Sequence, residues 1–102
     1  MEIGEVGRRA ESLAGVRRGV ADGLLQWRYH GRVVARQLDD THVAIRADFE
    51  YRDWLVEQFP ETFGVPARFR KHMMVVADLA GGDPGAIEDA IESAWQLQRA
   101  AD

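Results

Sequence analysis

The sequence predicts an α+β domain in two layers, ordered α-β-β-β-α-β-β-α, with an antiparallel five-stranded sheet and its helices packed on one face. Three observations predict it. Apolar residues recur at helical spacing in three separate segments. They alternate with a period of two in residues 24–30, 41–47 and 65–70, and gather into strand-length apolar runs in 32–38 and 73–79. Within 24–47 and within 65–79 the runs are separated only by short turns, which join antiparallel neighbours.

Residues 3–18 place Val6, Ala10, Leu13 and Ala14 on one helical stripe, and Arg17-Arg18 suit the negative end of that helix. Gly19 to Gly23 then stop it. In residues 24–30, Leu25, Trp27 and Tyr29 share one face of a strand, opposite Gln26, Arg28 and His30. His30-Gly31 offers a tight turn. Residues 32–38 form a second strand around Val33-Val34-Ala35, and Asp39-Asp40 turn the chain again. Residues 41–47 form a third strand, with Val43, Ile45 and Ala47 opposite His42, Ala44 and Arg46.

Asp48 is an N-cap residue, and behind it Tyr51, Trp54, Leu55 and Phe59 give the i, i+3, i+4, i+8 stripe of a helix that Pro60 ends. Residues 65–70 alternate through Ala67 and Phe69 as a fourth strand, Arg70-Lys71-His72 turn, and residues 73–79 form a fifth. After Gly81-Gly82, Asp83-Pro84 open the last helix in the favoured order of cap then proline. Ile87, Ala90, Ile91, Ala94 and Trp95 make its buried stripe, and Trp27, Tyr29, Trp54 and Trp95 are all expected in the core. The chain of 102 residues is expected to be a single domain, 1–102.

Composition narrows the function. With no cysteine there can be no disulfide, thiolate metal site or thiol nucleophile, and a reducing cytosol suits the chain. The opening residues carry no apolar run of signal-peptide type, and no apolar stretch approaches the roughly 20 residues that span a bilayer. The expectation is a cytoplasmic protein without membrane contact. His30, His42 and His72 fall in three separate elements without metal-site spacing. Ser12 and Ser93 lie in helices without a nucleophile elbow, and Asp39-Asp40 point apart in a turn. Gly81 to Gly85 lack the Lys-Ser/Thr of a phosphate-cradling loop. No catalytic residue, cofactor or metal is expected, and the chain reads as non-enzymatic.

The net charge of −4, from 13 basic and 17 acidic residues, is unevenly placed. Residues 24–38 hold Arg28, Arg32 and Arg36 and no acid. Residues 65–77 hold Arg68, Arg70 and Lys71 and no acid. The remainder carries 7 basic and 17 acidic side chains. The two positive segments are the two predicted hairpins, and their tips present His30 with Arg32, and Arg70-Lys71 with His72. A charged strand face is commonly just solvated, and cations there also guard a sheet edge. The alternative is a phosphate-binding surface, because arginine's planar fork holds phosphate by two bonds. On that alternative the nucleic-acid-binding set is Arg28, His30, Arg32, Arg36, Arg68, Arg70, Lys71 and His72, and acidification adds charge through both tip histidines.

Several words in this order resemble the MmcQ/YjbR family of small bacterial proteins. They are Leu13-Ala14-Gly15-Val16, the run Trp27-Arg28-Tyr29-His30-Gly31-Arg32-Val33-Val34-Ala35, Arg52-Asp53-Trp54-Leu55, the run Phe59-Pro60-Glu61-Thr62-Phe63-Gly64-Val65-Pro66, and Ser93-Ala94-Trp95. Together they cover about residues 6–98. The chain departs from the family where Gly15-Val16 lack a preceding Pro and where Arg32 replaces a common Lys. The resemblance implies a fold akin to secretion-chaperone-like domains and binding of duplex DNA through a double wing of β-hairpins. A second expectation is a protein partner, held as by a chaperone-like adaptor on the sheet or on the last helix, whose Asp83, Glu88, Asp89 and Glu92 form an acidic face.

Overall fold

The computed structural model describes residues 1–102 as an α+β fold with one antiparallel sheet of six strands and three helices. Helix α1 (Ile3–Glu11) is followed by strands β1 (Val16–Ala21), β2 (Leu24–Tyr29), β3 (Arg32–Gln37) and β4 (His42–Arg46). Helix α2 (Phe49–Gln58), the two-residue strand β5 (Phe63–Gly64), a 3₁₀ turn (Ala67–Phe69), strand β6 (Met74–Asp78) and helix α3 (Pro84–Ala100) complete the chain. Across the sheet the strands run β1-β2-β3-β4-β6-β5.

Two elements depart from the sequence reading. The first helix ends at Glu11, and residues 16–21 form an additional edge strand. Only Val16 of β1 is buried, so its sequence has no apolar alternation to betray it. The turn that joins it to β2 is Asp22-Gly23, with φ of 54° and 78°. Such a pair with both residues at positive φ matches the twist of a hairpin. His30-Gly31 repeats the geometry between β2 and β3, at 47° and 81°. Gly15, at φ 80°, turns α1 into β1, and a Cβ there would stand 2.8 Å from the Tyr29 ring.

The second departure is the predicted strand at 65–70. Only Phe63 and Gly64 pair with β6, and the chain then coils through the 3₁₀ turn. Pro66 has no N–H to give a ladder, and Phe69 is needed elsewhere, as a lid on the sheet.

The helices share one layer. Val6 and Ala10 of α1, Leu55 of α2 and Ile87, Ala90, Ile91 and Ala94 of α3 form one core with Trp27, Val34, Ala35, Val43, Ile45, Val75 and Ala77 of the sheet. Trp27 is fully buried, and its indole donates to the Glu11 carboxylate at 3.0 Å. Trp54, expected in the core, is instead 48% exposed and stacks on Tyr51. Trp95 is half-buried and donates to the Ala14 carbonyl at 2.8 Å. Tyr29 is half-buried as well.

Both predicted caps are made. Asp48 accepts from the Tyr51 amide at 2.8 Å, and Asp83 from the Ala86 amide at 3.2 Å. Asp83→Ala should cost about 1 kcal/mol, read as a lower urea midpoint at unchanged slope.

One irregularity decides which side chains face where. Trp27 is opposite Ala35, but Arg28 is opposite Val33, so β3 carries a bulge at Val34. Val34 and Ala35 both enter the helix-side core. Arg32, opposite Tyr29, turns toward the helices, while Arg36, opposite Gln26 and Ala44, turns to the other face.

Candidate nucleic-acid interface

The face of the sheet away from the helices has its own small apolar floor. Ala44, Met74 and Val76 are buried there beneath Phe69, which the 3₁₀ turn holds at 5% exposure. Around this floor lies a recess of about 340 Å³. Arg28 of β2, Arg36 of β3, Arg46 of β4 and Arg68 of the 3₁₀ turn surround it, with His72 at the margin. No acidic residue lines it.

The strand register assembles this rim. Arg36 pairs across with Ala44, and Arg46 with Met74, so both guanidiniums leave the sheet on the floor's side. Arg36 and Arg68 stand over the Phe69 ring, at 5.6 and 4.8 Å from its centroid. This cation–π geometry holds them near the recess at little loss of charge. Arg28 donates to the Gln26 side-chain carbonyl at 3.0 Å and to the Gly31 carbonyl at 2.8 Å. None of the four makes an ion pair. Four like charges around one hollow repel one another, and an anion placed among them relieves the repulsion.

The segment carrying Arg68 and His72 is clamped from behind. Arg52 of α2 is only 8% exposed. One of its terminal nitrogens donates to the carbonyls of Phe69, Arg70 and His72, at 3.4, 3.1 and 2.9 Å. Its Nε meets the Asp53 carboxylate at 3.2 Å. The 66–72 segment has few ladder bonds, so this side chain supplies the polar contacts that a strand would have found in a neighbour.

The eight residues proposed from sequence therefore divide. Arg28, Arg36, Arg68 and His72 meet at the recess. Arg70 and Lys71 are exposed on the adjoining turn. His30 and Arg32 lie toward the end of α3. Arg32 donates to the Gln98 carbonyl at 2.9 Å and to the Asp102 carboxylate. His30 lies 3.4 Å from the same carboxylate, which also accepts from the Tyr29 hydroxyl at 2.9 Å. The β2–β3 hairpin tip thus holds His30 and Arg32 toward α3, while the 3₁₀ segment that replaces the second predicted hairpin carries its cations at and beside the recess. Sequence reasoning missed Arg46, which alternation had already set on the outward side of its strand. It also missed Arg17, whose partner across β1 and β2 is Arg28.

The Arg32 hydrogen bond, helped by that of Tyr29, holds the Asp102 carboxyl below its ordinary range, and the same contact raises the Tyr29 hydroxyl. A depressed carboxyl favours the latched arrangement above its ordinary pKa and loses that contribution as pH falls through the lowered value. Acid titration should therefore release Tyr29 and Arg32 from Asp102 below the usual carboxylate range. The Tyr29 ring resonances in NMR would report it, and Asp102→Asn should remove the transition.

Of the acidic residues on α3, Glu88 and Asp89 are exposed, while Glu92 pairs with Arg9 at 2.7 Å. No helix is long and apolar enough to cross a membrane. Compared with known proteins, the chain matches no family, no curated protein and no solved structure.

Proposed function

We propose that the helix-free face of the sheet binds nucleic acid through its phosphates, with duplex DNA as the target, and that the protein acts by binding and not by catalysis. The observation that carries this reading is the ring of Arg28, Arg36, Arg46 and Arg68 around one recess with no carboxylate in it. Arginine presents a flat fork that fits phosphate oxygens two at a time. Arg70 and Lys71, exposed beside the ring, extend the positive surface. The overall charge of −4 keeps this attraction local, since no acid lines the recess and all 17 lie elsewhere on the chain.

The same reading places the chain with the MmcQ/YjbR family and in the cytoplasm. It rests on the sequence words set out above and on a six-stranded antiparallel sheet in which the β2–β3 hairpin matches one of the two expected wings. The wing idea changes in two respects. The second wing is a 3₁₀ turn and not a hairpin, and the phosphate contact moves from the tips to the sheet face beside that turn.

A salt-titrated binding assay on mixed-sequence duplex and single-stranded DNA tests the proposal. If each of the four guanidiniums holds one phosphate, the log–log slope should be near −3.6 on duplex, from about −0.9 per contact. Absence of duplex binding at low salt defeats it.

A further inference from the structure

The recess is more than a charged surface. Its rim is cationic, but its floor is apolar: Val33 is half-buried in it, and Met74 and Phe69 are almost wholly buried. A phosphate ridge alone has no use for an apolar hollow. At about 340 Å³ the recess lies at the lower end of the range for small-molecule sites, roughly 300–1,000 Å³. It is too small for a helix or a duplex to enter. It can admit one flat group whose attached phosphate remains at the rim. Arg36 and Arg68 already lie over an aromatic face, the geometry in which guanidinium stacks on a planar ring.

We infer that this recess is a nucleoside-phosphate site: the base lies on the Val33–Met74–Phe69 floor and the phosphate is held by Arg46 with its neighbouring arginines. The nucleotide is either free or an unpaired residue of a strand. The inference rests on the reading of this face as phosphate-binding, and adds to it the recognition of a base.

The test is calorimetric titration of the intact chain with adenosine monophosphate, inorganic phosphate and adenosine, and then with an oligodeoxyadenylate single strand and a blunt duplex. Adenosine monophosphate should bind at least about tenfold more tightly than phosphate or adenosine. Val33→Trp fills the floor without altering charge. It should abolish binding of the mononucleotide while leaving duplex affinity within about twofold, well under the tenfold step that 1.4 kcal/mol represents. Arg46→Gln, a rim change that leaves the core intact, should weaken the mononucleotide about tenfold, as expected for loss of a charge-assisted bond.

If the single strand binds and Val33→Trp removes that binding, the source is an unpaired residue; if only the mononucleotide behaves so, the source is free nucleotide. Phosphate binding as tightly as adenosine monophosphate, or an undiminished mononucleotide affinity in a folded Val33→Trp, overturns the inference. Duplex binding without mononucleotide binding overturns it too and leaves the phosphate reading intact. Mononucleotide binding without duplex binding keeps the inference and overturns duplex DNA as the target of this face.

Discussion

Arg52→Met should destabilise the protein by about 2–4 kcal/mol and lower its melting temperature by roughly 10–20 °C. The guanidinium is nearly buried and meets three carbonyls of one short segment. Methionine preserves much of the stem's packing, so the loss isolates the polar contacts. The carbonyls of Phe69, Arg70 and His72 would lose a charged donor at once; those of Phe69 and His72 keep the backbone amides of His72 and Met74, while that of Arg70 is left to water. The effect should also be local. Amide exchange ought to accelerate at residues 67–73 before it does in β2 and β3, because that segment lacks a ladder to hold it. A melting temperature within a degree or two of wild type would show that the clamp is dispensable. If the segment loosens, Arg68 leaves the recess with it, and nucleic-acid affinity should fall in a variant that has touched no rim residue.

The paired reversal Arg36→Glu and Arg46→Glu should reduce duplex affinity by about 100-fold or more at low salt while the fold survives. Each substitution removes a charge-assisted phosphate contact, worth roughly 1.5–3 kcal/mol, and sets a carboxylate against the backbone. Arg36 is exposed and Arg46 half-exposed. Their structural contribution is confined to the Arg36 contact with Phe69, about 0.5–1 kcal/mol. The salt slope should shallow by about 1.8, two contacts at 0.9 each. Arg32→Glu is the control, since its guanidinium lies toward Gln98 and Asp102. At physiological ionic strength it should change duplex affinity by less than about threefold, because that guanidinium is engaged by Gln98 and Asp102 and the Debye length there is only about 8 Å. Circular dichroism that is unaltered for the double variant, together with undiminished binding, would remove the recess from the interface.

How far these residues could be placed in advance depended on what sort of information each position needed. The caps of α2 and α3 were legible because Asp48 and Asp83 act on amides three residues away. The strands β2 and β4 were legible because Leu25, Trp27 and Tyr29, and then Val43 and Ile45, place apolar side chains at every second residue toward the helix-side core. Strand β1 was not, since its outer side chains meet water on both faces and Arg17-Arg18 pass equally well for a helix end. Asp22-Gly23 did carry a hairpin signal, but a loop read as a helix stop hides it. The 65–70 segment alternates like a strand, and what overrides the pattern is Arg52, 17 residues away from the nearest carbonyl it binds. Three of the four rim arginines, Arg28, Arg36 and Arg68, were legible as local charge. Arg46 was not counted, because its neighbours Arg36 and Met74 are set by register across three strands. The placement of Arg32 and Arg36 on opposite faces needed the bulge, which no spacing rule reveals.

That bulge also governs which length changes the lineage of this protein can absorb. A one-residue deletion in a regular strand reverses the facing of everything beyond it. At Val34 it does not. Removing the extra residue leaves Arg28 opposite position 33 and restores ordinary pairing with the alanine that follows, so Arg32 keeps its place toward the helices and Arg36 keeps its place on the rim. What is lost is one buried valine side chain. The same event at Ile45 in β4 would turn Arg46 into the core. Drift in chain length through the sheet is thus channelled to a single position, and homologues one residue shorter should carry the gap there.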